Sequence, residues 1–277
     1  RGRISPAPDV DSYAGLSVVG PLTRTVTDSA RIVDLLRGNL PADRHRCPDP
    51  AVSFTEAAAT PPRSLRIAVS TKGAVPGFPL APTVVTAVES VADTLAALGH
   101  RVERDDRRPP EPLVAWVSAG GPGIREHLAH ASHPDRIEPA TRIHVGRLQT
   151  PPMVERWALR RVDHIGAAAN RMFEGHDVLL TPVVGLLPPP ADGLGRGGAI
   201  PTAVRNLWAV PFTTLWNVAG NPAATVPAGF SPGGVPLAVQ LVAPYGDEAT
   251  LYSLAAQLEA ERPWADARPM PPAPRAG

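Results

Sequence analysis

The sequence predicts an α/β protein in which a mixed, mostly parallel sheet is flanked by helices. Two observations predict this class. Residues 65–103 follow a strand, helix, strand pattern, and such a unit pairs its strands in parallel through a right-handed crossover. Residues 224–258 follow a hairpin and helix pattern, and a hairpin contributes antiparallel pairing. We therefore expect both kinds of pairing in one sheet.

The amino-terminal elements are predicted from capping and turn residues. Proline and glycine after Ile4 indicate an irregular connection that enters a short strand at residues 16–19. The Thr-Val-Thr-Asp sequence at 25–28 has the form of a capping box, and apolar residues at helical spacing follow it up to Gly38. Five prolines in residues 39–63 predict a surface loop, because proline interrupts regular elements.

The parallel unit occupies the next part of the chain. Residues 65–70 alternate in polarity like a strand, and apolar residues over 84–98 form a helical stripe that ends at Gly99. Residues 101–103 then return as a second strand. This spacing predicts two parallel strands joined by one helix.

Two further helices and a buried strand are predicted after this unit. A helix over 112–133 is interrupted by glycines near its middle, and a longer helix over 153–173 has arginines opposite its apolar face. The sequence Asp-Val-Leu-Leu-Thr-Pro at 177–182 has an apolar centre and ends at Pro182, which is typical of a buried strand.

The carboxyl-terminal region predicts a hairpin, a helix and a tail. Apolar residues at 224–228 and 237–242 flank a Ser-Pro-Gly-Gly turn, and the acids at 247 and 248 precede a helical stripe. Residues 265–277 are rich in proline and small residues, so we predict a disordered tail there. The remaining residues, 1–264, are predicted to belong to one domain.

Composition excludes several classes of partner. A net charge of +1 provides no field that would attract nucleic acid or an anionic membrane. No apolar run approaches the roughly 20 residues that span a bilayer. The single cysteine, Cys47, excludes an internal disulfide framework, so we predict a reducing, cytoplasmic compartment. Small soluble molecules are the expected partners.

Two sets of residues resemble the amidase signature family. The carboxyl-terminal set consists of Asn217, Gly220, Pro222, Ala223, Val226, Pro227 and Gly229, followed by Gly234, Pro236, Gln240 and Glu248. The amino-terminal set consists of Gly-Arg-Ile-Ser at 2–5 and Gly-Leu-Ser-Val-Val-Gly-Pro-Leu-Thr-Arg-Thr-Val at 15–26, followed by Asp28. The resemblance implies a partial amidase-signature fold, with residues 1–264 as its carboxyl-terminal portion.

The resemblance also implies a reaction and an incomplete site. Enzymes of that family hydrolyse amide C–N bonds through a serine acyl-enzyme, with a lysine and two serines that precede the region similar to this chain. None of the three has a matching position here, so we expect no catalytic residue in this chain and no activity from the chain alone. The chain begins with Arg1, and we expect an upstream part of the same fold as its partner.

The resemblance implies a substrate pocket as well. In that family, the end of the strand over 177–182 and the loop before the hairpin line the acyl pocket, which carries over to Thr181, Pro182, Trp216 and Asn217. These residues would contact a small amide substrate. For Trp216 the alternative is a core aromatic whose N–H bonds a nearby carbonyl.

The residues themselves offer no other catalytic, metal or cofactor site. Lys72, the only lysine, is one residue short of the Ser-x-x-Lys spacing. Histidines at 127, 130 and 133 diverge around a helix and lack an acidic or cysteine partner, so we predict no metal site. The glycines at 193–198 follow prolines instead of a strand, so we predict no dinucleotide cofactor.

Two alternative functions stay open at this point. The chain could be a non-catalytic remnant that binds a small ligand or a partner through the pocket of the family. It could also be an unrelated parallel α/β enzyme that uses a cofactor. The second alternative requires a phosphate-binding glycine loop after a strand, which the sequence lacks.

Overall fold

A computed structural model of the chain shows a five-stranded mixed sheet between helices. It describes residues 1–8, 12–74, 77–116, 118, 128–129, 131–133, 136–137, 151–189 and 210–268. The strands are β1 (Arg66–Val69), β2 (Arg101–Arg104), β3 (Val178–Pro182), β4 (Ala223–Phe230) and β5 (Pro236–Val242). The helices are α1 (Val26–Leu36), α2 (Phe54–Ala59), α3 (Pro82–Ala97), α4 (Pro152–Asn170), α5 (Thr214–Ala219) and α6 (Glu248–Glu261).

The strand order confirms the predicted α/β class. The strands lie in the order β2, β1, β3, β5, β4, so β2 and β4 form the two edges. β1 is parallel to both β2 and β3, as the strand, helix, strand pattern predicted. β5 is antiparallel to both β3 and β4, which is the contribution of the hairpin. Of the four described strand pairings, two are therefore parallel and two are antiparallel.

Both faces of the sheet are covered by helices. On one face, α3 and α6 pack through Val88, Val91 and Leu254 against Ile67 and other strand residues. On the opposite face, α4 and α5 pack against residues that include Ala68 and Leu179. Because successive strand residues point to opposite faces, Ile67 and Ala68 enter different layers of the core. The central strand β3 is buried on both faces.

Helices α1 and α6 begin at the positions that their capping residues predicted. The Thr25 side chain accepts a hydrogen bond from Asp28 N at the start of α1, which ends just before Gly38. The Asp247 side chain accepts from Thr250 N at the start of α6. Side-chain acceptors satisfy backbone N–H groups that have no partner in the first turn. The residues that form the apolar stripe of α6 are buried, as predicted: Leu251, Leu254, Ala255 and Leu258.

Two predictions near the amino terminus are wrong. Residues 16–19 form no strand; a 3₁₀ turn at Ser12–Gly15 leads into irregular backbone instead. No strand of the described part of the chain pairs with this segment, so its Val18 and Val19 side chains are exposed despite their β propensity. Residues 39–63 are also more than a loop, because they contain α2. The carboxylate of Asp34 accepts hydrogen bonds from Phe54 N and Thr55 N, which fixes the first turn of α2.

Several predictions lie partly or wholly outside the described residues. These are most of the helix over 112–133, two of the three histidines, the glycines at 193–198 and residues 269–277 of the tail. Residues 265–268 are described, and Ala267 N donates to Trp264 O in a turn. The boundary of the domain at 264 remains a prediction. The long helix over 153–173 is confirmed as α4 followed by a 3₁₀ turn, Arg171–Phe173.

Candidate functional site

The carboxyl end of β3 meets two other segments of the chain. Ala74 N, in the loop after β1, donates to Pro211 O just before α5. The loop after β3 packs on the same residues, since a Cβ placed on Gly185 would lie 3.6 Å from the Pro211 ring and 2.8 Å from Pro79 O. Carboxyl ends of strands are where open α/β sheets hold ligands. Three loops therefore converge where a site is expected.

A buried polar link fixes this end of the sheet. Gln240 Nε2, on β5, donates to Thr181 Oγ1 and to Phe212 O, both at 3.0 Å. Thr181 Oγ1 in turn donates to Pro182 O at 3.0 Å. The link joins β5 and β3 to Phe212, two residues before α5. All of its polar groups lie in the interior, where an unpaired group is costly, so the link holds these three segments in one arrangement.

Trp216 and Asn217 lie on α5, which the sequence analysis did not predict. The helix ends at Gly220, whose φ of 82° is in the left-handed region, and Gly220 N donates to Trp216 O at 2.7 Å. The Trp216 ring packs at 6.1 Å from the ring of Phe173. Asn217 Nδ2 donates to Leu16 O at 3.0 Å, so the amino-terminal segment is tied to α5.

The four predicted pocket residues differ in accessibility. Thr181 points to the same face of the sheet as Leu179, and Leu179 belongs to the core layer that contains Trp216. Thr181, Pro182 and Trp216 are buried, whereas Asn217 is exposed. The structure therefore places Thr181 and Trp216 at the same core layer, whereas Pro182, the next residue of β3, points to the opposite face. Of the four residues, only Asn217 is exposed in this chain.

Among the residues described around this end of the sheet, no lysine side chain hydrogen-bonds a serine hydroxyl. Lys72 is near it in the chain, but its Nζ lies 3.8 Å from Asp106 Oδ1 on the surface. Ser70 is buried, and its hydroxyl accepts from Lys72 N. Within the described ranges, no group of three or more His, Cys, Asp or Glu side chains is arranged to hold a metal ion. No helix among those ranges is long and apolar enough to cross a membrane.

A second buried link joins Arg3, from the amino-terminal motif set, to Glu248, from the carboxyl-terminal motif set. Arg3 Nη2 and Nε bond the two carboxylate oxygens of Glu248 at 2.8 and 3.1 Å, and Arg3 Nη1 donates to Pro48 O at 2.6 Å. Burial lowers the pKa of Arg3, but the hydrogen bond and the negative charge of Glu248 outweigh burial and leave it above its ordinary value. This ion pair anchors the amino terminus on α6.

An open groove lies beside β4. It has a volume of about 1060 Å³ and is lined by the amino-terminal residues, by residues 18–26, by β4 and by one side of α6. Leu22 projects into this space with its side chain fully exposed. Its walls are mainly apolar, with the Arg3–Glu248 pair at one end.

Comparison with known proteins identifies the family. The family model described as Amidase matches residues 1–252. The chain belongs to the amidase signature family. The match spans all five described strands, so the resemblance seen in the two motif sets is confirmed.

The relatives of this amidase-family chain are longer than the chain. The provisionally assigned amidase AmiB2 of Mycobacterium tuberculosis (strain ATCC 25618 / H37Rv) is 36% identical over 274 residues, which cover 97% of this chain and 57% of that protein. The 6-aminohexanoate-cyclic-dimer hydrolase of Paenarthrobacter ureafaciens is 33% identical over a 305-residue alignment covering 97% of this chain and 59% of that protein. The chain thus spans less than two thirds of the length of these relatives.

A solved structure confirms that the fold is that of part of an amidase. The structure of 6-aminohexanoate cyclic dimer hydrolase matches with a TM-score of 0.85 and 28% identity, over 98% of this chain and 60% of that one. A structure of the same hydrolase complexed with substrate matches with a TM-score of 0.82 and 28% identity, over 98% of this chain and 61% of that one.

Sequence reasoning missed the role of Gln240. Gln240 was part of the motif that resembles the family, but no function was assigned to it. A polar amide within the apolar run at 237–242 is a usable signal, because a buried amide needs partners. The structure supplies those partners as Thr181 and Phe212.

Proposed function

We propose that this chain is the carboxyl-terminal portion of an amidase that cleaves amide C–N bonds through a serine acyl-enzyme. The catalytic lysine and serines would come from residues outside this chain, in an upstream part of the same fold. The chain alone would be inactive. Its own contribution would be one wall of the substrate pocket, formed by Thr181, Pro182, Trp216 and Asn217.

One observation carries this proposal. The family match runs through residues 1–252, yet the described residues at the carboxyl end of β3 include no serine paired with a lysine. A serine hydroxyl is a weak nucleophile unless a neighbouring base accepts its proton. The fold of an amidase is thus present over this length, while the groups that would perform the proton transfer are not found at this end of the described sheet.

The proposed reaction divides the work between two parts of the fold. The serine oxygen would attack the amide carbonyl, the amine would leave with a proton, and water would hydrolyse the acyl-enzyme. Backbone N–H groups of the upstream part would stabilise the oxyanion. The residues of this chain would hold the acyl group in position, a task suited to a buried layer fixed by the Gln240 link.

Activity of the polypeptide as the cell makes it tests this proposal. The protein is captured from its producing cells with an antibody to this chain, its intact mass is measured, and ammonia release from simple amides is assayed. A polypeptide of 29.1 kDa is expected to be inactive, and a longer form is expected to be active and blocked by a serine-directed inhibitor. Loss of a nucleophile typically lowers the rate by about 10⁶-fold.

Two outcomes would contradict the proposal. Ammonia release by the 29.1 kDa polypeptide, abolished by a serine-directed inhibitor, would show that the catalytic residues lie within this chain. Failure of every form and complex isolated with the chain to hydrolyse amides would remove the hydrolase function itself.

The lone buried cysteine, Cys47, supports a further proposal of a cytoplasmic location, which fractionation of the same cells tests.

The pocket is tested through acyl-group selectivity in the active form. Asn217→Ala is expected to change the ratio of kcat/KM values for acetamide and benzamide by about tenfold, because it removes an amide group at the exposed wall of the pocket. The control is Thr94→Ala on α3, where the threonine hydroxyl bonds Ser90 O and accepts from Arg262 Nη1, and this substitution should leave the ratio unchanged. A purely structural role for Asn217 would lower both kcat/KM values equally, and that result would contradict the assignment.

A further inference from the structure

We propose that Gln240 positions the wall of the substrate pocket and thereby sets which acyl groups the active form accepts. The inference deepens the proposed function and rests on it, because acyl selectivity presupposes the cleavage of amides. Gln240 is a positioning residue in this proposal. It does not contact the substrate itself but acts through its hydrogen bonds to Thr181 and Phe212.

Gln240 lies in the interior of the sheet, beside the segment that leads into α5. It is paired with Thr181 on β3 and with Thr225 on β4, and it is only 3% exposed. Directly opposite residues of neighbouring strands point to the same face, so the Gln240 side chain lies on the face of Thr181, which α5 covers. The amide therefore stands between the sheet and the helix that carries Trp216.

The orientation of the Gln240 amide is determined by its two acceptors. Phe212 O can only accept, and the Thr181 hydroxyl uses its own hydrogen on Pro182 O, so it also accepts from Gln240. Both N–H groups of the amide are therefore used. An amide at this position satisfies both acceptors at once, whereas an apolar side chain of the same length satisfies neither.

The bond to Phe212 is the direct link between the sheet and the start of α5. Among the described residues, no other hydrogen bond joins a strand to residues 210–213. Thr213 O, one residue further on, accepts from Trp216 N at 3.1 Å. α5 has only six residues, and helices shorter than about 12 residues depend on tertiary contacts for their stability. Displacement of Phe212 should therefore displace Trp216 with it.

One amide thus sets the spacing between two parts of the proposed pocket wall. Thr181 lies on β3, whereas Trp216 and Asn217 lie on α5. A single methylene in an apolar pocket changes kcat/KM by about 10–200-fold, and a misplacement of about 1 Å can cost about 100-fold. The anchor that fixes this spacing therefore controls which acyl groups fit.

Gln240→Met tests the inference in the longer, active form. Methionine has a similar length and no N–H donor, so both bonds are lost while most of the volume is kept. We expect the ratio of kcat/KM values for acetamide and benzamide to shift by about tenfold, because Trp216 moves relative to Thr181. The measurement is steady-state kinetics with both amides, after urea unfolding has shown that the variant is folded.

Asn221→Leu is the matched control. Asn221 is also a buried amide, with 6% exposed, and its Nδ2 also donates twice at 3.0 Å, to Asn170 Oδ1 and to Ala243 O. Leucine keeps the shape of that side chain and removes both donors. Neither acceptor belongs to the proposed pocket, so this variant should lose stability as Gln240→Met does but leave the ratio unchanged.

Amide exchange locates the change on α5 independently of catalysis. In Gln240→Met, the amide of Trp216 should exchange about tenfold faster or more, since its helix has lost two bonds that hold it to the sheet. The amide of Leu98, which donates to Thr94 O at the end of α3, is the internal control and should change little. The measurement is hydrogen exchange read by NMR on the unsubstituted protein and on both variants.

A second pair of variants applies if Gln240→Met does not fold. Thr181→Ser keeps the hydroxyl that accepts from Gln240, whereas Thr181→Val keeps the shape of threonine and removes that hydroxyl. The Trp216 amide should exchange about fivefold faster with valine than with serine, the factor that corresponds to one neutral hydrogen bond. Equal exchange in these two variants would overturn the inference.

The two measurements on Gln240→Met decide the inference together. A shifted ratio with faster exchange at Trp216 supports it, provided that Asn221→Leu shows neither change. An unchanged ratio overturns it and leaves the proposed function intact, because the bonds are then purely structural. Equal shifts in both variants overturn it for the same reason. A shifted ratio with unchanged exchange at Trp216 also overturns it, because Gln240 then acts without moving α5.

Failure of the proposed function is distinguishable from failure of this inference. If no form hydrolyses amides, the proposed function fails, and the Kd values of acetamide and benzamide, measured by NMR titration, replace the kinetic ratio. A ratio of Kd values that Gln240→Met shifts and Asn221→Leu preserves still supports the positioning role. An unchanged ratio, or no binding of either amide, overturns it.

Discussion

The two edges of the sheet are built differently. β2 has four residues, and Arg101, Glu103 and Arg104 place charges along it. β4 has eight residues, none charged, and borders an open groove. Short, charged edge strands discourage pairing with another chain, whereas an uncharged edge invites it. β2 therefore resists pairing with a further strand, while β4 is protected only in its second half, by Pro227 and the bulge.

The surroundings of the edges differ as well. Near β2, charges pair on the surface, as in the contact between Arg104 Nη2 and Glu89 Oε1 at 2.8 Å. Near β4, the groove is bounded by the buried Arg3–Glu248 pair. Exposed ion pairs contribute little to stability, but a buried charge that loses its partner is costly. The wall of the groove should therefore tolerate substitution far less than the β2 edge.

The largest expected effect comes from breaking the buried pair. The Arg3 and Glu248 side chains are 9% and 14% exposed, so Arg3→Ala leaves a carboxylate buried without its partner. We expect a loss of about 3–5 kcal/mol in the free energy of unfolding. The measurement is urea unfolding followed by circular dichroism. A loss below about 1 kcal/mol would show that the groove wall is as tolerant as the β2 edge.

Two controls sharpen this result. Arg104→Ala breaks a pair whose side chains are 66% and 43% exposed, and it should cost only about 0.2–1 kcal/mol. The double variant Arg3→Met, Glu248→Leu removes both buried charges and should recover much of the lost stability, because no unpaired carboxylate remains. A double variant as unstable as Arg3→Ala would show that lost packing, and not the unpaired charge, causes the effect.

The β2 side of the sheet was the better predicted region. The strand, helix, strand pattern over 65–103 depends on local periodicity, and both the helix and the parallel pairing were confirmed. The segment at 16–19 has an equally apolar sequence but forms no strand, since no described strand lies beside it. Periodicity predicts an element reliably only where the partner that covers it is present.

The candidate site was predictable only in outline. The family resemblance placed Trp216 near the hairpin, but not on a helix, because the six residues of α5 are too few to show a helical period. α2 was missed although a local signal was present, because Ser53 and Glu56 have the spacing of a capping box and Ser53 Oγ accepts from Glu56 N. The bonds from Phe54 N to the Asp34 carboxylate, 20 residues away in the chain, could not be predicted from local sequence.

A smaller effect is expected from a backbone substitution beside the groove. Gly2 has a φ of 76°, and a Cβ there would lie 2.9 Å from the backbone nitrogens of Arg46 and Cys47. Gly2→Ala should cost about 2–4 kcal/mol, because left-handed backbone strain and overpacking both contribute. The control is Gly99→Ala, just before β2.

The control separates strain from contact. Gly99 has a φ of 91°, but nothing lies within 4 Å of a Cβ placed there. Gly99→Ala should therefore cost only the strain, about 1–2 kcal/mol. Equal losses of stability for the two variants in urea unfolding would mean that the amino-terminal segment relaxes freely, and the contrast between the two edges would then be weaker than the structure indicates.

The smallest expected effect tests whether a buried charge beside β2 contributes to the free energy of unfolding. Asp105 follows β2 directly, and its carboxylate accepts from Arg107 Nη2 at 2.8 Å. Burial alone would raise the pKa of Asp105, but hydrogen bonds and the charge of Arg107 outweigh burial and hold it below its ordinary value of 3.8. A lowered carboxyl pKa in the folded state adds stability above the unfolded pKa, and this stability is lost as the pH falls through the folded pKa.

Asp105→Asn should therefore lower stability by about 1 kcal/mol at pH 7, a modest loss because Arg107 is half exposed to solvent. The difference from the unsubstituted chain should shrink as the pH falls below 3.8, where the native carboxyl also becomes neutral. Urea unfolding between pH 7 and pH 2.5 measures it, with the exposed neighbour Asp106→Asn as the control that should show little effect at any pH. A constant difference across this range would mean that the amide disturbs packing at Asp105, and that charge near β2 contributes nothing.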